Sequence, residues 1–291
     1  MRYFIHTNYK QLLAAKVSRF NSMENFSSPN VEIINIEDYI DVEKFNNKTY
    51  LRNGIETKWD KDDLQSFTLL RFIIPEISNY QGISIVTDPD VFLLKDFNET
   101  IFKYKDNDLT VRRVVNQDNP KKNYLESSIM IFNNHKFKFT NIGQILELLF
   151  SHELDYKDLI HLEYYKRNGI EIFEADENFN SFDQFNEKTE FLHTTNRITQ
   201  PWKTGLKVDF YKYKFDYGES SFVTRTLNKI YGNIKNIIFP KKYLPHPNKS
   251  VADLFNTLFA EALKSGFISQ KEIHENIKKK FISKNYLKFL D

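Results

Sequence analysis

Two carboxylates stand two residues apart in Ile85-Val86-Thr87-Asp88-Pro89-Asp90-Val91-Phe92, between apolar runs. In an extended chain, residues i and i+2 point to the same side. Two like charges aimed at one point repel unless a cation lies between them. Carboxylate oxygens suit a hard divalent ion such as Mg²⁺ or Mn²⁺, which commonly keeps further positions open for phosphate oxygens. Residues 83–87 read as a strand, and in an α/β sheet ligands bind at the carboxyl ends of strands. The same triplet is also good turn chemistry.

Three other places carry functional side chains. His193 follows Phe191-Leu192 and precedes Pro201-Trp202-Lys203. A neutral imidazole can complete a carboxylate-bound metal site, and Lys203 can meet a phosphate. A core histidine and a Trp202 core anchor are the plainer readings. Thr7-Asn8-Tyr9 follows the apolar run Tyr3-Phe4-Ile5, and the amide and ring of Asn8-Tyr9 can bind and stack on a nucleobase. Arg71 stands alone in the apolar stretch 66–75. There it needs an anion or solvent, so it meets either a diphosphate or a salt-bridge partner.

The elements that must position these groups begin with strand, helix and strand, over Tyr3-Phe4-Ile5, residues 11–20 and residues 31–36. The spacing predicts helices over 63–75, 143–150 and 156–167, and strands over 83–87, 109–111, 128–133 and 170–173. Near the C-terminus, Val251, Leu254, Phe255, Leu258, Phe259, Ala262 and Leu263 form a helical stripe. Ser250 is its expected cap and Gly266 its stop. Ser269 and Glu272 fit a capping box for a further helix. The expectation is an α/β body over 1–215 and a helical C-terminal region over 216–291.

Composition bounds the function. The chain has 291 residues, 27% of them charged, with a formal net charge of +2. That is a globular profile with no whole-chain bias toward nucleic acid. Residues 241–291 hold ten Lys against five acids. Such a basic end can lean on an anionic membrane surface or be a solvated lysine face. The chain has no cysteine, which excludes disulfides and thiolate metal sites. The N-terminus lacks the apolar core of a signal peptide, and no run reaches the roughly 18 apolar residues of a membrane span. A cytoplasmic protein is expected, with or without contact to the inner face of a membrane.

Taken in order, five segments resemble the family 8 glycosyltransferases, the group of glycogenin and the bacterial lipopolysaccharide galactosyltransferases. They are Arg71-Phe72-Ile73-Ile74-Pro75; the glycine turn, strand and Asp-x-Asp of residues 80–91; Ser127-Ser128-Ile129-Met130-Ile131-Phe132-Asn133; Asn178-Phe179-Asn180-Ser181-Phe182-Asp183; and Leu192-His193 through Pro201-Trp202. The resemblance spans roughly residues 2–205. It implies a GT-A fold, a Rossmann-like mixed sheet flanked by helices, here with a helical C-terminal extension. It also implies a divalent metal, Mn²⁺ or Mg²⁺, on Asp88, Asp90 and His193, and hexose transfer with retention from a nucleotide sugar, by family preference a UDP-sugar. The acceptor would be a glycan or glycolipid hydroxyl. By the same resemblance, Thr7, Asn8 and Tyr9 fall at the base, while Arg71, Asp88, Ser128, Asn180 and Lys203 fall at the donor. Asp158, in Tyr156-Lys157-Asp158-Leu159-Ile160-His161, falls on the acceptor segment as the catalytic candidate. The chain departs from the family at Asn196 and Gln200, where Gly and Lys are usual, and at Phe179, where Trp is usual. Two rivals stand beside this reading. One is a GT-A-fold protein that binds a glycan or nucleotide without turnover. The other is a nucleotidyltransferase, against which the lack of glycine after Tyr3-Phe4-Ile5 counts.

Overall fold

A computed structural model describes residues 1–25, 30–210 and 242–290 of the chain. Its strands are β1 (Arg2–Thr7), β2 (Val31–Asn35), β3 (Thr49–Arg52), β4 (Ile55–Lys58), β5 (Ile83–Thr87), β6 (Val91–Leu93), β7 (Leu109–Val114), β8 (Tyr124–Asn133), β9 (Ile172–Ala175), β10 (Ser181–Phe182) and β11 (Phe191–His193). Six of them form the main sheet in the order β2-β1-β5-β8-β7-β9. β1 runs parallel to β2 and β5, β8 runs antiparallel to β5 and β7, and β9 is parallel to β7. A small sheet joins β10, β11 and β6.

Both faces of the main sheet are covered, which is why its strands are apolar without clean alternation. Tyr3, Ile5, Ile85, Ile129 and Ile131 pack on one face with Ala15 of the helix Leu12–Glu24 and with Phe179 and Phe191. Phe4, Val86, Met130 and Phe132 pack on the other with Leu70, Phe72, Ile145 and Leu149. The result is a Rossmann-like mixed sheet flanked by helices with a helical C-terminal extension, the GT-A type of arrangement.

Local chemistry explains where the elements depart from the expected ones. The helix expected over 63–75 is a 3-10 turn, Ser66–Phe72, followed by the short helix Ile74–Ile77. Pro75 has no N–H to donate and starts the second helix instead. The Asn8 amide also takes the carbonyls of Asp63 and Leu64, at 3.2 and 3.3 Å, away from helical bonding. The helix expected over 156–167 is two, Tyr156–Ile160 and Glu163–Arg167, broken by buried Leu162 at φ 67°. The β3–β4 hairpin was not expected. Asn53 and Gly54 turn it with φ of 56° and 73°, the left-handed pair that a two-residue hairpin turn requires.

In the C-terminal part, Asn248 rather than Ser250 caps the helix Lys249–Lys264. Gly266 follows that helix at φ 75°, and the Ser269–Glu272 capping box starts Gln270–Lys278. Phe255, Phe259, Ile273 and Tyr286 share one cluster with Leu13, Val17, Phe92 and Trp202 of the body. Trp202 is thus a core anchor, 4.9 Å from the Phe255 ring. The expected boundary at 215/216 lies outside the described residues. No helix among the described residues is long and apolar enough to cross a membrane.

Candidate metal and donor site

The carboxyl ends of the adjacent parallel strands β1 and β5 open onto one place. Asp88 follows β5, and its N–H donates to the Ser128 carbonyl of β8 at 3.0 Å. The Val91 N–H closes on the Asp88 carbonyl at 3.3 Å, so the triplet is both a turn and a convergence of carboxylates. β11 pairs antiparallel with β6, placing His193 opposite Val91. The Thr194 N–H then donates to the Asp90 carbonyl at 3.1 Å. Three residues spread over a hundred positions are so brought together. One ligand atom from each of Asp88, Asp90 and His193 lies within 4.8 Å of the others, and all three residues are buried.

The donor set is two carboxylates and an imidazole, which suits Mn²⁺ or Mg²⁺. His193 Nδ1 lies 3.1 Å from Ser128 Oγ, which accepts from Asn180 Nδ2 at 3.0 Å. His193 Nε2 therefore faces Asp90 Oδ1, at 3.5 Å. Gln200 Nε2 donates to Asp90 Oδ2 at 3.3 Å. Burial works against charge on His193, but the Asp90 carboxylate, and then Asp88, outweigh it and raise its pKa to about 9. A cation between these groups would take over that balancing charge. Among the described residues, Asn180 Oδ1 is buried without a hydrogen-bond partner.

Asp88 is the most heavily engaged of the three. Arg71 Nη2 donates to its Oδ1 and Oδ2 at 2.7 and 2.6 Å, and Arg71 Nε donates to Oδ1 at 3.1 Å. His6 Nε2 lies 2.6 Å from the same Oδ1, with Nδ1 3.2 Å from the Phe67 carbonyl. Burial alone would raise the Asp88 pKa, but the Arg71 and His6 side chains outweigh it and hold the carboxyl below its usual range. Arg71 also donates to Ser127 Oγ at 2.8 Å, and that hydroxyl donates to the Ile160 carbonyl at 2.8 Å.

The other expected site residues lie apart from this center. The Asn8 amide is saturated: besides the carbonyls above it bonds Ser66 Oγ at 3.0 Å, and its Oδ1 accepts from the Lys10 and Gln11 N–H groups at 3.1 and 3.2 Å. Thr7 Oγ1 donates to the Asn8 carbonyl at 3.0 Å. Tyr9 donates to Asp62 Oδ1 at 2.6 Å and packs on Phe281. Lys203 is wholly buried and donates to Asp209 Oδ2 at 2.9 Å. Asp158 is half-buried and paired with Arg167. None of these five lines the cleft described next.

The Asp88, Asp90 and His193 cluster opens into a cavity of about 460 Å³, which joins a second of about 550 Å³ through shared walls at Arg52, Gln65, Thr68, Tyr156, Thr195 and Arg197. His6, Glu126, Arg52, Lys157 and Arg197 were not among the expected site residues. The Asn53-Gly54 pair was a readable hairpin signal that would have drawn attention to Arg52. The others carry no local pattern.

No protein-family model matches the chain, and neither does any curated protein. Solved structures do resemble it. A galactosyltransferase, LgtC, in complex with donor and acceptor sugar analogs aligns at 12% identity and a TM-score of 0.49, over 69% of this chain and 89% of that one. The glycosyltransferase GlyE of Streptococcus pneumoniae aligns at 16% identity and 0.47, over 85% of this chain and 66% of that one. Mouse xyloside xylosyltransferase 1 aligns at 11% identity and 0.40, over 67% and 97%. At these scores the likenesses carry no assignment of reaction, donor or acceptor to this chain.

Proposed function

We propose that this chain is a metal-dependent, retaining glycosyltransferase that moves a hexose from a nucleotide sugar, UDP-linked by preference, to a hydroxyl of a glycan or glycolipid. The observation that carries the proposal is the convergence of Asp88, Asp90 and His193 within 4.8 Å at the carboxyl end of a parallel strand. The ordered sequence segments that resemble family 8 glycosyltransferases support it.

In this reading Asp90 and His193 offer the freest ligand atoms, and Asp88 stays oriented by Arg71 and His6. Ser128 fixes the imidazole, and Asn180 holds Ser128. When bound, Mn²⁺ or Mg²⁺ supplies Lewis-acid neutralization of the leaving diphosphate. The bond from the anomeric carbon to the diphosphate oxygen breaks, the bond to the acceptor oxygen forms on the same face of the sugar, and the acceptor hydroxyl proton leaves with the diphosphate. No carboxylate is given the role of covalent nucleophile, and Asp158, the catalytic candidate by resemblance, is paired with Arg167 and lines neither cavity.

Incubation with Mn²⁺ and a panel of nucleotide sugars tests the proposal, with release of free nucleotide as the readout. Sugar-dependent release that disappears in Asp90→Ala supports it, and full turnover by Asp90→Ala in metal-free buffer overturns it. A second reading rests on the complete engagement of Asp88 by Arg71 and His6: a GT-A scaffold that binds nucleotide without turning it over. Binding without release would favor that scaffold.

A further inference from the structure

Arg52, Lys157 and Arg197 come together at the junction of the two cavities. Arg52 and Arg197 line both, and Lys157 lines the inner one. They arrive from three parts of the chain: β3, the helix Tyr156–Ile160, and the segment after β11. Among the described residues, no carboxylate lies within 4.0 Å of any of the three.

Their positions are held by other contacts. The Arg52 guanidinium lies 4.9 Å from the Tyr156 ring centroid. Arg197 donates to Gln65 Oε1. Lys157 Nζ is 3.4 Å from His161 Nε2. Three acids of the same walls are engaged by backbone amides: Asp63 by Gln65 N–H at 2.8 Å, Asp60 by Asp62 N–H at 2.9 Å and Glu126 by Ser128 N–H at 3.0 Å; the other two, Asp88 and Asp90, belong to the cluster with His193. Burial first, and then the Arg52 charge, pushes the Lys157 pKa down, and burial lowers that of Arg197. Arg52 differs: burial works against its charge, but Tyr156, Tyr50 and Asp63 outweigh it and raise its pKa. Among the described residues none of the three cations has a carboxylate in direct contact, so a bound anion would pair them.

We propose that Arg52, Lys157 and Arg197 form an anion subsite for the acceptor, which is therefore an acidic glycan carrying a carboxylate or phosphate. The outer cavity adds the rings of Tyr50, Trp59 and Tyr156, on which a sugar face can pack. Arginine forks bind either anion in two-pronged fashion. The proposal rests on the glycosyltransferase reading and narrows its acceptor. The donor diphosphate is the other source of such an anion, and the test separates the two.

Ligand-observed NMR titrations would compare D-glucuronate with D-glucose, with and without saturating UDP and Mn²⁺. Glucuronate is expected to bind at least tenfold more tightly than glucose, to be displaced by inorganic phosphate, and to keep its affinity when UDP is bound. Arg52→Gln and Arg197→Gln are each expected to weaken it at least tenfold. Phosphate displacement from the unaltered chain reads the same subsite should a variant fail to fold. No glucuronate binding, equal binding of glucose, or no displacement by phosphate would overturn the subsite. Loss of glucuronate on adding UDP would hand these cations to the donor diphosphate and overturn the acceptor claim. A chain that binds glucuronate but not UDP keeps the subsite and loses the transferase reading.

Discussion

The Arg71 guanidinium clasps the Asp88 carboxylate in a buried pair, with Nη2 2.6 Å from Oδ2 and Nε 3.1 Å from Oδ1. Neither residue is more than 7% exposed. The sequence offered Arg71 a diphosphate or a salt-bridge partner, and the partner is the first carboxylate of the candidate metal cluster itself. The pair keeps Asp88 ionized and fixed beside Asp90. It also occupies part of the capacity of that carboxylate, and this makes Asp90 and His193 the more open ligands.

Removing one member of such a pair leaves the other buried and uncompensated. Arg71→Ala is expected to destabilize the fold by about 3–5 kcal/mol, because the buried Asp88 carboxylate loses its guanidinium partner. Urea unfolding measures this. A loss below about 1 kcal/mol would show that water replaces the guanidinium and that the pair is not needed for stability.

Ser128 orients His193 through Nδ1 and is itself held by Asn180. Outer partners of this kind tune metal ligands. Ser128→Ala is expected to weaken Mn²⁺ binding about 10- to 100-fold while leaving the fold intact. Electron paramagnetic resonance of added Mn²⁺ reads the affinity directly. An unchanged affinity would mean that the backbone alone sets the imidazole.

Asp155 ties the hairpin turn to the helix beside it. Its carboxylate accepts from the Asn53, Gly54 and Lys157 N–H groups at 2.9, 2.7 and 2.7 Å. Burial alone would raise its pKa, but these N–H groups outweigh it and lower it. A lowered carboxyl pKa stabilizes the fold fully above the unfolded value, about 3.9, and the stabilization fades as pH falls further. Amide exchange at Asn53 and Gly54 should therefore accelerate relative to the core strands as pH is lowered through this range. Asp155→Asn should show the faster exchange already at pH 7. Equal protection in the variant would remove the clasp from the account.

Phe255 joins the C-terminal helix to the body, against Trp202 and Phe92. Phe255→Ala is expected to cost about 3–5 kcal/mol. Because the cluster is shared, both the unaltered chain and the variant should unfold in one transition. Two calorimetric transitions would instead make the C-terminal region a separate unit.

Much of the fold was readable because it follows from local rules. The buried strands of the sheet, the C-terminal amphipathic stripe and the Ser269–Glu272 capping box depend on neighbors within a few residues. The Asp88-Pro89-Asp90 triplet announced itself for the same reason, since two like charges at a strand end need a cation. His193 was legible through its place in an ordered series of segments, but its nearness to Asp90 is decided by the pairing of β11 with β6. Which way Arg71, Lys203 and Asp158 turn was decided only in three dimensions. A cation or carboxylate takes whichever opposite charge or solvent packing leaves within reach, and that partner is distant in sequence. So Arg71 joined Asp88, Lys203 went to Asp209, and Asp158 paired with Arg167. The sequence alone determined that two carboxylates would meet at a strand end, and tertiary structure decided which side chains would surround them, because long-range pairing leaves no local periodicity to read.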